Sequence, residues 1–300
     1  MTTDERSTSA PRPLAAADSL WEGLGLIVIG AFCFSLAIPF TRWVEGLNAS
    51  TITFYRALFG FAFLALLTLR QREAWRFSAY RAAWPRLLAL GGLMSATALL
   101  YTYAVRHTAA ANAALLVNTA PVYVAVLAPL LLSEPRARYT WLSLALALGG
   151  VVLITDPRSL NVSSAELGGV VAGAVAGMGY ALVLLLSRSL RKQVSGLTQN
   201  LWSNGIVVLL LLPWALRSSA ATVTVNLPSL IPLGVFSLGL SYLLYFAGLA
   251  RVRAQIVSIA ALFEPVFGVV MGMVFFAEVP GLLGWLGGGL ILFSVYLISR

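Results

Sequence analysis

The stretch Gln255–Glu278, QIVSIAALFEPVFGVVMGMVFFAE, constrains this chain more than any other. A helix of that length, at about 1.5 Å per residue, is long enough to cross a hydrocarbon core about 30 Å thick. Within it stands one carboxyl group, Glu264, with Pro265 directly after it. An acid near the middle of a span is costly unless it faces a partner or a hydrated cavity, so it marks a candidate site. The stretch also has a twin. Ala111–Glu134 reads ANAALLVNTAPVYVAVLAPLLLSE, and Pro121/Pro265, Glu134/Glu278 and Trp141/Trp285 are each 144 residues apart. That spacing predicts a duplicated chain whose site lies where the two copies meet.

Composition decides the solvent. The hydrophobic fraction is 59%, charged residues are 10% and the mean hydropathy is +0.88, more apolar surface than a soluble 300-residue domain needs. The net charge of +9 does not point to nucleic acid, because the basic residues sit between apolar runs and form no basic domain. Cys33 is the single cysteine, so no intrachain disulfide forms. One histidine excludes any two-histidine metal site. The sole lysine, Lys192, lies in RSLRKQ and not in a phosphate loop. No metal and no cofactor are expected.

Ten apolar segments are predicted, at about 20–41, 49–69, 86–105, 110–132, 139–155, 167–187, 197–216, 229–250, 254–277 and 281–299. With the N-terminus inside, fifteen Arg and Lys fall on inside segments and four outside, while Arg56 lies within a span. This positive-inside bias places both termini in the cytoplasm. Two similar halves with five helices each must insert in opposite senses. The fold class expected is therefore an all-α membrane protein of ten transmembrane helices, arranged as two inverted five-helix repeats. Its parts are a disordered cytoplasmic tail at 1–19, a first repeat at 20–156 and a second at 165–299. The tail lacks the basic start and short apolar core of a signal peptide.

Several residues are candidates for the site. Pro265 cannot donate to the carbonyl of Ala261, and Pro121 likewise leaves that of Val117, so both kinked spans offer backbone acceptors beside Glu264. Glu264 with such carbonyls suits an ammonium group or a transferable proton; otherwise it is a protonated acid bonded to a neighbouring helix. Arg56, in TFYRALFGF, holds a substrate carboxylate, forms a gate with an acid, or snorkels to the outer interface. Asn118 and Thr119 precede Pro121 and serve either substrate or interhelical hydrogen bonds; the same choice applies to Ser258 and Gln255. Tyr101 and Tyr103, with Tyr242 and Tyr245, form an aromatic set that walls a cavity or packs, Tyr101 and Tyr245 being again 144 apart. Tyr180, Trp202 and Asn204 are weaker candidates. His107 reads as a loop residue at the outer turn. Glu134 and Glu278 read as caps or loop anchors. Gly169, Gly173 and Gly177, and Gly284 and Gly288, predict close helix packing, with a dimer contact through the tenth segment as the alternative to a monomer.

This pattern resembles the drug/metabolite transporter superfamily, specifically its ten-helix EamA-type members. The resemblance is carried by Arg56, Pro121, Glu134, Pro265, Glu278 and the run Leu262–Pro265, and covers residues 20–299. Within the superfamily the chain looks most like aromatic and broad-range amino-acid exporters of bacterial inner membranes. The resemblance implies a central cavity lined by segments three, four, eight and nine, with one, two, six and seven as moving walls.

The function expected is a non-enzymatic carrier that exports amino acids by alternating access, its partners being the lipid bilayer and a small-molecule substrate. Glu264 takes the amine, Asn118 or Arg56 the carboxylate, and the tyrosines a tolerant apolar side chain. The alternative is export of lipophilic cations or drugs, caged by Glu264 and aromatic rings. An intramembrane enzyme is disfavoured because a single acid lies deep in a span, without a second carboxylate or a serine motif. A channel is the third class, separable from a carrier by saturation and counterflow.

Overall fold

Backbone polar groups in lipid have no water to bond, so a chain this apolar has to satisfy them within helices. The computed structural model describes residues 13–69, 72–75, 80–107, 116–135, 137–154, 167–277, 279 and 281–299, and among them every regular element is helical. The order is α1 (Pro13–Ser35), α2 (Ala37–Arg42), α3 (Ala49–Thr68), a 3₁₀ turn (Arg72–Trp75), α4 (Trp84–His107), α5 (Ala120–Leu132), α6 (Thr140–Ile154), α7 (Leu167–Leu190) and α8 (Gly196–Ala215). There follow α9 (Ala220–Pro232), a π-helical stretch (Leu233–Leu240), α10 (Ser241–Arg251), α11 (Ala254–Ala260), α12 (Phe263–Phe276) and α13 (Leu282–Ile298).

Five of these helical stretches are long and apolar enough to span a membrane: Leu20–Arg42, Ala49–Thr68, Leu167–Leu190, Ala220–Arg251 and Ala254–Phe276. Shorter apolar helices lie at α5, α6 and α13. The distribution of polarity is that of a protein in lipid. Leu66, Leu130, Leu209 and Val274 face outward, whereas Gln199, Asn200, Ser203 and Asn204 of α8 are buried. Trp141 and Trp285 are both exposed, as interfacial anchors are.

Local chemistry sets the boundaries. Asn48 accepts the Thr51 amide at 2.8 Å to start α3, and Ser195 accepts the Thr198 amide at 3.2 Å to start α8. Helices α5 and α12 each end on a left-handed residue that is not glycine, Ser133 at φ 52° and Ala277 at φ 54°. These two residues, like the prolines, are 144 apart. Two expected boundaries differ. Residues 13–19, assigned to the tail, are helical in α1, while residues 1–12 lie outside the described residues. The eighth segment starts at Ala220, not near 229, because Pro228 and Pro232 sit inside the helix without ending it.

Close backbone contacts hold the bundle. A Cβ on Gly150 of α6 would stand 2.6 Å from the Gly287 carbonyl of α13, and one on Gly287 only 2.5 Å from the Gly150 carbonyl. The tight contact of α13 thus runs through Gly287, between the expected Gly284 and Gly288, and it is made within the chain. Helix α3 lies in the same way on the π stretch, with Gly60 against Gly234 and Gly239. Trp202 of α8 donates from Nε1 to the Ala74 carbonyl at 3.1 Å and packs edge-on against Trp84 and Trp75.

Candidate functional site

Both kinked segments break where proline predicts. Residues 116–117 are helical, Asn118 and Thr119 form a turn, and α5 restarts at Ala120. In the other half the break falls at Ala261 and Leu262, between α11 and α12, which puts Glu264 in the first turn of α12. The structure revises the expectation of a free carbonyl at Ala261. The Ala261 carbonyl, which Pro265 cannot reach, accepts the amide of Glu264 at 3.0 Å, so the chain tightens locally and does not leave this acceptor open. In the first half the Thr119 hydroxyl donates to the Leu116 carbonyl at 2.5 Å, as the Thr119 amide does at 3.2 Å.

Between the two breaks lies a small cavity of about 10 Å³, bounded by Asn118, Pro121, Tyr180, Ser258, Leu262 and Glu264 among others. That is the room of about one water molecule. Among the described residues the Glu264 carboxylate accepts no hydrogen bond and pairs with no cation. Arg56 acts on it through the interior as the opposite charge.

The wall opposite the breaks is α7. Gly177 permits this: a Cβ there would lie 2.5 Å from the Leu116 carbonyl and 3.0 Å from Thr119 Oγ1, and Gly173 is similarly close to Leu116. The predicted glycine face of segment six therefore serves close packing, and it carries Tyr180 to the cavity. Of the segments that the resemblance put around a central cavity, four and nine line this small one together with six, while three and eight are not part of its wall.

Of the predicted residues, Glu264, Asn118, Ser258 and Pro121 come together at this cavity. Ser258 donates its hydroxyl to the Gln255 carbonyl at 2.9 Å. Pro265 lies one residue past the rim. Thr119, Tyr101, Tyr242, Tyr245 and Arg56 do not line it. Tyr242 and Tyr245 are buried in an aromatic cluster with Phe34 and Phe246, and the Tyr245 hydroxyl has no partner there. Tyr101 is 39% exposed on α4. Tyr103 stacks on His107 at 3.9 Å, and both are exposed. Glu278 lies outside the described residues.

Two features went unseen in the sequence. Glu134, read as a loop anchor, is buried and forms an ion pair with Arg188 of α7 at 2.6 Å. Its second oxygen accepts the Ala254 amide at the start of α11 at 3.0 Å, while Arg188 Nη1 also donates to the Leu249 carbonyl of α10. Beside this knot Gln255 Oε1 accepts from the Ala137 amide at 3.2 Å and from the Thr140 hydroxyl at 3.1 Å. The ends of α5, α7, α10 and α11 are thus tied together at one end of the bundle. The second feature is the π stretch. Asn200 Nδ2 donates to the Leu238 and Gly239 carbonyls at 3.0 and 2.8 Å, supplying partners to a widened turn. The Ser237 hydroxyl of that turn faces Arg56, whose Nε–H donates to it at 2.6 Å. The only signal in the sequence was Pro228 and Pro232 four residues apart, followed by Gly234.

An apolar exterior, several helices long and apolar enough to cross a bilayer and a span broken beside a carboxyl group define a multi-pass membrane protein. Residues 21–156 and 167–300 each match the EamA-like transporter family, and the chain belongs to that family. It is 32% identical over 279 residues to a protein of Archaeoglobus fulgidus named an uncharacterized transporter, covering 93% of this chain and 96% of that one. It is 29% identical over 297 residues to the pseudopaline exporter CntI of Pseudomonas aeruginosa, covering 94% and 98%. A crystal structure of 15% sequence identity superposes with a TM-score of 0.79 over 93% of this chain and 96% of that chain, a likeness of fold.

Proposed function

We propose that this transporter exports amino acids, aromatic ones among a broad range, across a bacterial inner membrane by alternating access between two halves. In this reading the chain makes ten crossings as two inverted five-helix repeats, 20–156 and 165–299, with both termini in the cytoplasm. The twofold family match, the 144-residue proline spacing and the recurrence of left-handed ends at Ser133 and Ala277 support the duplication. The Arg and Lys bias supports the orientation.

One observation carries the reading: a carboxylate without a bonded partner among the described residues, Glu264, facing a cavity between the two broken segments. It accepts the substrate ammonium, with Asn118 and Ser258 beside it. Tyr180 supplies an apolar and aromatic wall. So few fixed polar contacts favour tolerance over tight selection. The cavity as it stands holds about one water, so this is a closed form and substrate entry requires the walls to part. The export direction follows the Pseudomonas relative, which is named an exporter.

The aromatic ring of Tyr180 next to an acid also suits a lipophilic cation, which is the second reading. Counterflow of labelled amino acids and organic cations in proteoliposomes, with and without an imposed pH gradient, separates the two. Saturable counterflow of amino acids is the expected result. Saturable movement of cations alone would replace the leading reading with the second, and flux without saturation or counterflow would make the protein a channel.

A further inference from the structure

We infer that Arg56 is the seat of the substrate's anionic group, aimed by Ser237 from the π turn, so that the ligands carry both a carboxylate and an amine. The inference rests on the amino-acid carrier reading and adds to it the residue that receives the negative end. Arg56 is held firmly from one side. Its Nε–H donates to Ser237 Oγ at 2.6 Å, and Ser237 gives its own proton to the Leu233 carbonyl, which leaves an oxygen lone pair turned toward Arg56. The guanidinium carbon stands 5.0 Å from the centre of the Phe34 ring. The backbone at Arg56 is pressed against the turn, since a Cβ on Gly234 would come within 2.6 Å of the Arg56 carbonyl.

From the other side Arg56 is unmet. Its Nη2 is sealed from solvent without a hydrogen bond, and no carboxylate pairs with the guanidinium among the described residues. A staple between α3 and the π turn needs only the Nε contact. A guanidinium has five donors in a planar fork that matches the two oxygens of a carboxylate. Held by one corner and unpaired at another, it is completed by an anion that arrives and leaves. Glu264 is the acid whose charge reaches it through the interior, with Tyr101 and Tyr242 inside the same field. A dipolar molecule with its ammonium toward Glu264 and its carboxylate toward Arg56 satisfies both groups. A simple organic cation satisfies one and is repelled by the other.

The test compares labelled L-phenylalanine with labelled L-phenylalaninamide, which keeps the amine and loses the negative charge, in initial-rate uptake by proteoliposomes. The KM of the wild-type protein for the amide is expected to exceed that for phenylalanine at least about tenfold, the scale of one charged hydrogen bond. Arg56→Gln is expected to erase that preference. Ser237→Ala is expected to raise KM for phenylalanine selectively with little change in kcat, and Ser237→Thr, which keeps the hydroxyl, to restore it. Equal handling of both probes by the wild type, or an equal loss for both in Arg56→Gln, would remove Arg56 from the site and leave the carrier standing. Uptake of tetraphenylphosphonium with neither probe moved would overturn the amino-acid reading and this one together.

Discussion

Glu264 begins a helix, so the partial positive charge of the α12 N-terminus lies next to its carboxylate. That field makes the acid tolerable in an apolar bundle, but it supplies no counter-ion and no hydrogen-bond donor to the side chain. Replacing Glu264 with Gln keeps the volume and removes the charge. Counterflow of a transported amino acid is expected to fall at least about tenfold, on the scale of a lost charge-assisted contact. The melting temperature of the detergent-solubilised variant should stay level or rise, since a buried ionisable group is lost. Unchanged counterflow would leave Glu264 with a packing role. At the other end of α12, Ala277 holds φ at 54°, a conformation costing an L-residue about 1–2 kcal/mol that glycine adopts freely. Ala277→Gly is therefore expected to stabilise the protein by about 1 kcal/mol in thermal unfolding; a drop would show that the methyl group has a packing role that outweighs the strain.

Helices meet here through missing side chains, and Gly177 is the sharpest case. The nearest atom to its absent Cβ is the Leu116 carbonyl oxygen, a backbone atom that cannot rotate away. Gly177→Ala should push α7 off the Asn118–Thr119 turn, lowering both transport and thermal stability by about 1–3 kcal/mol. Gly25→Ala in α1 meets nothing within 4 Å and should be neutral or slightly stabilising, which makes it the control. Spans of this kind are legible in a sequence because lipid dictates both their length and their apolarity. Pro121 and Pro265 likewise announced the two breaks. What the sequence could not convey was how the breaks close. Local hydrogen bonding moves the Ala261 carbonyl from vacant to occupied, and an eight-residue π stretch inside a long apolar run is too short for its change of period to be read. The meeting of Glu134 with Arg188, 54 residues away, depends on the arrangement of four helix ends and leaves no trace in spacing. The tyrosines illustrate the same gap: Tyr242 and Tyr245 share a helix with a good inward pattern, yet they pack on Phe34 and Phe246, while Tyr180, a weaker candidate, reaches the cavity.

At the scale of the whole molecule the proposed cycle has the two ends of the bundle part in turn, and the Glu134–Arg188 knot ties helix ends together at one of them. Both partners are nearly buried, with side-chain exposures of 10% and 8%. Removing Arg188 leaves Glu134 with only the longer contact to Arg191 at 3.9 Å and the Ala254 amide, so Arg188→Ala should cost about 3 kcal/mol of stability, while replacing both Glu134 and Arg188 with apolar residues of similar volume should recover most of that. A double-mutant cycle on thermal unfolding measures the difference; strictly additive effects would mean that the two charges are not coupled. If the knot shuts one entrance during transport, the apolar double variant should also show faster alkylation of a cysteine placed at Ser258 than the wild-type background does.

The unbroken run from Ala220 to Arg251 is 32 residues long, which as helix comes to about 48 Å against a hydrocarbon core of about 30 Å. Such a rod cannot stand upright inside the oily layer. A run longer than the core is accommodated by tilt, by a kink or by projection among the head groups, and two in-line prolines and the widened turn lie within this one. Ser237 rides on that rod, so any tilt that the membrane imposes on it would act directly on the partner of Arg56.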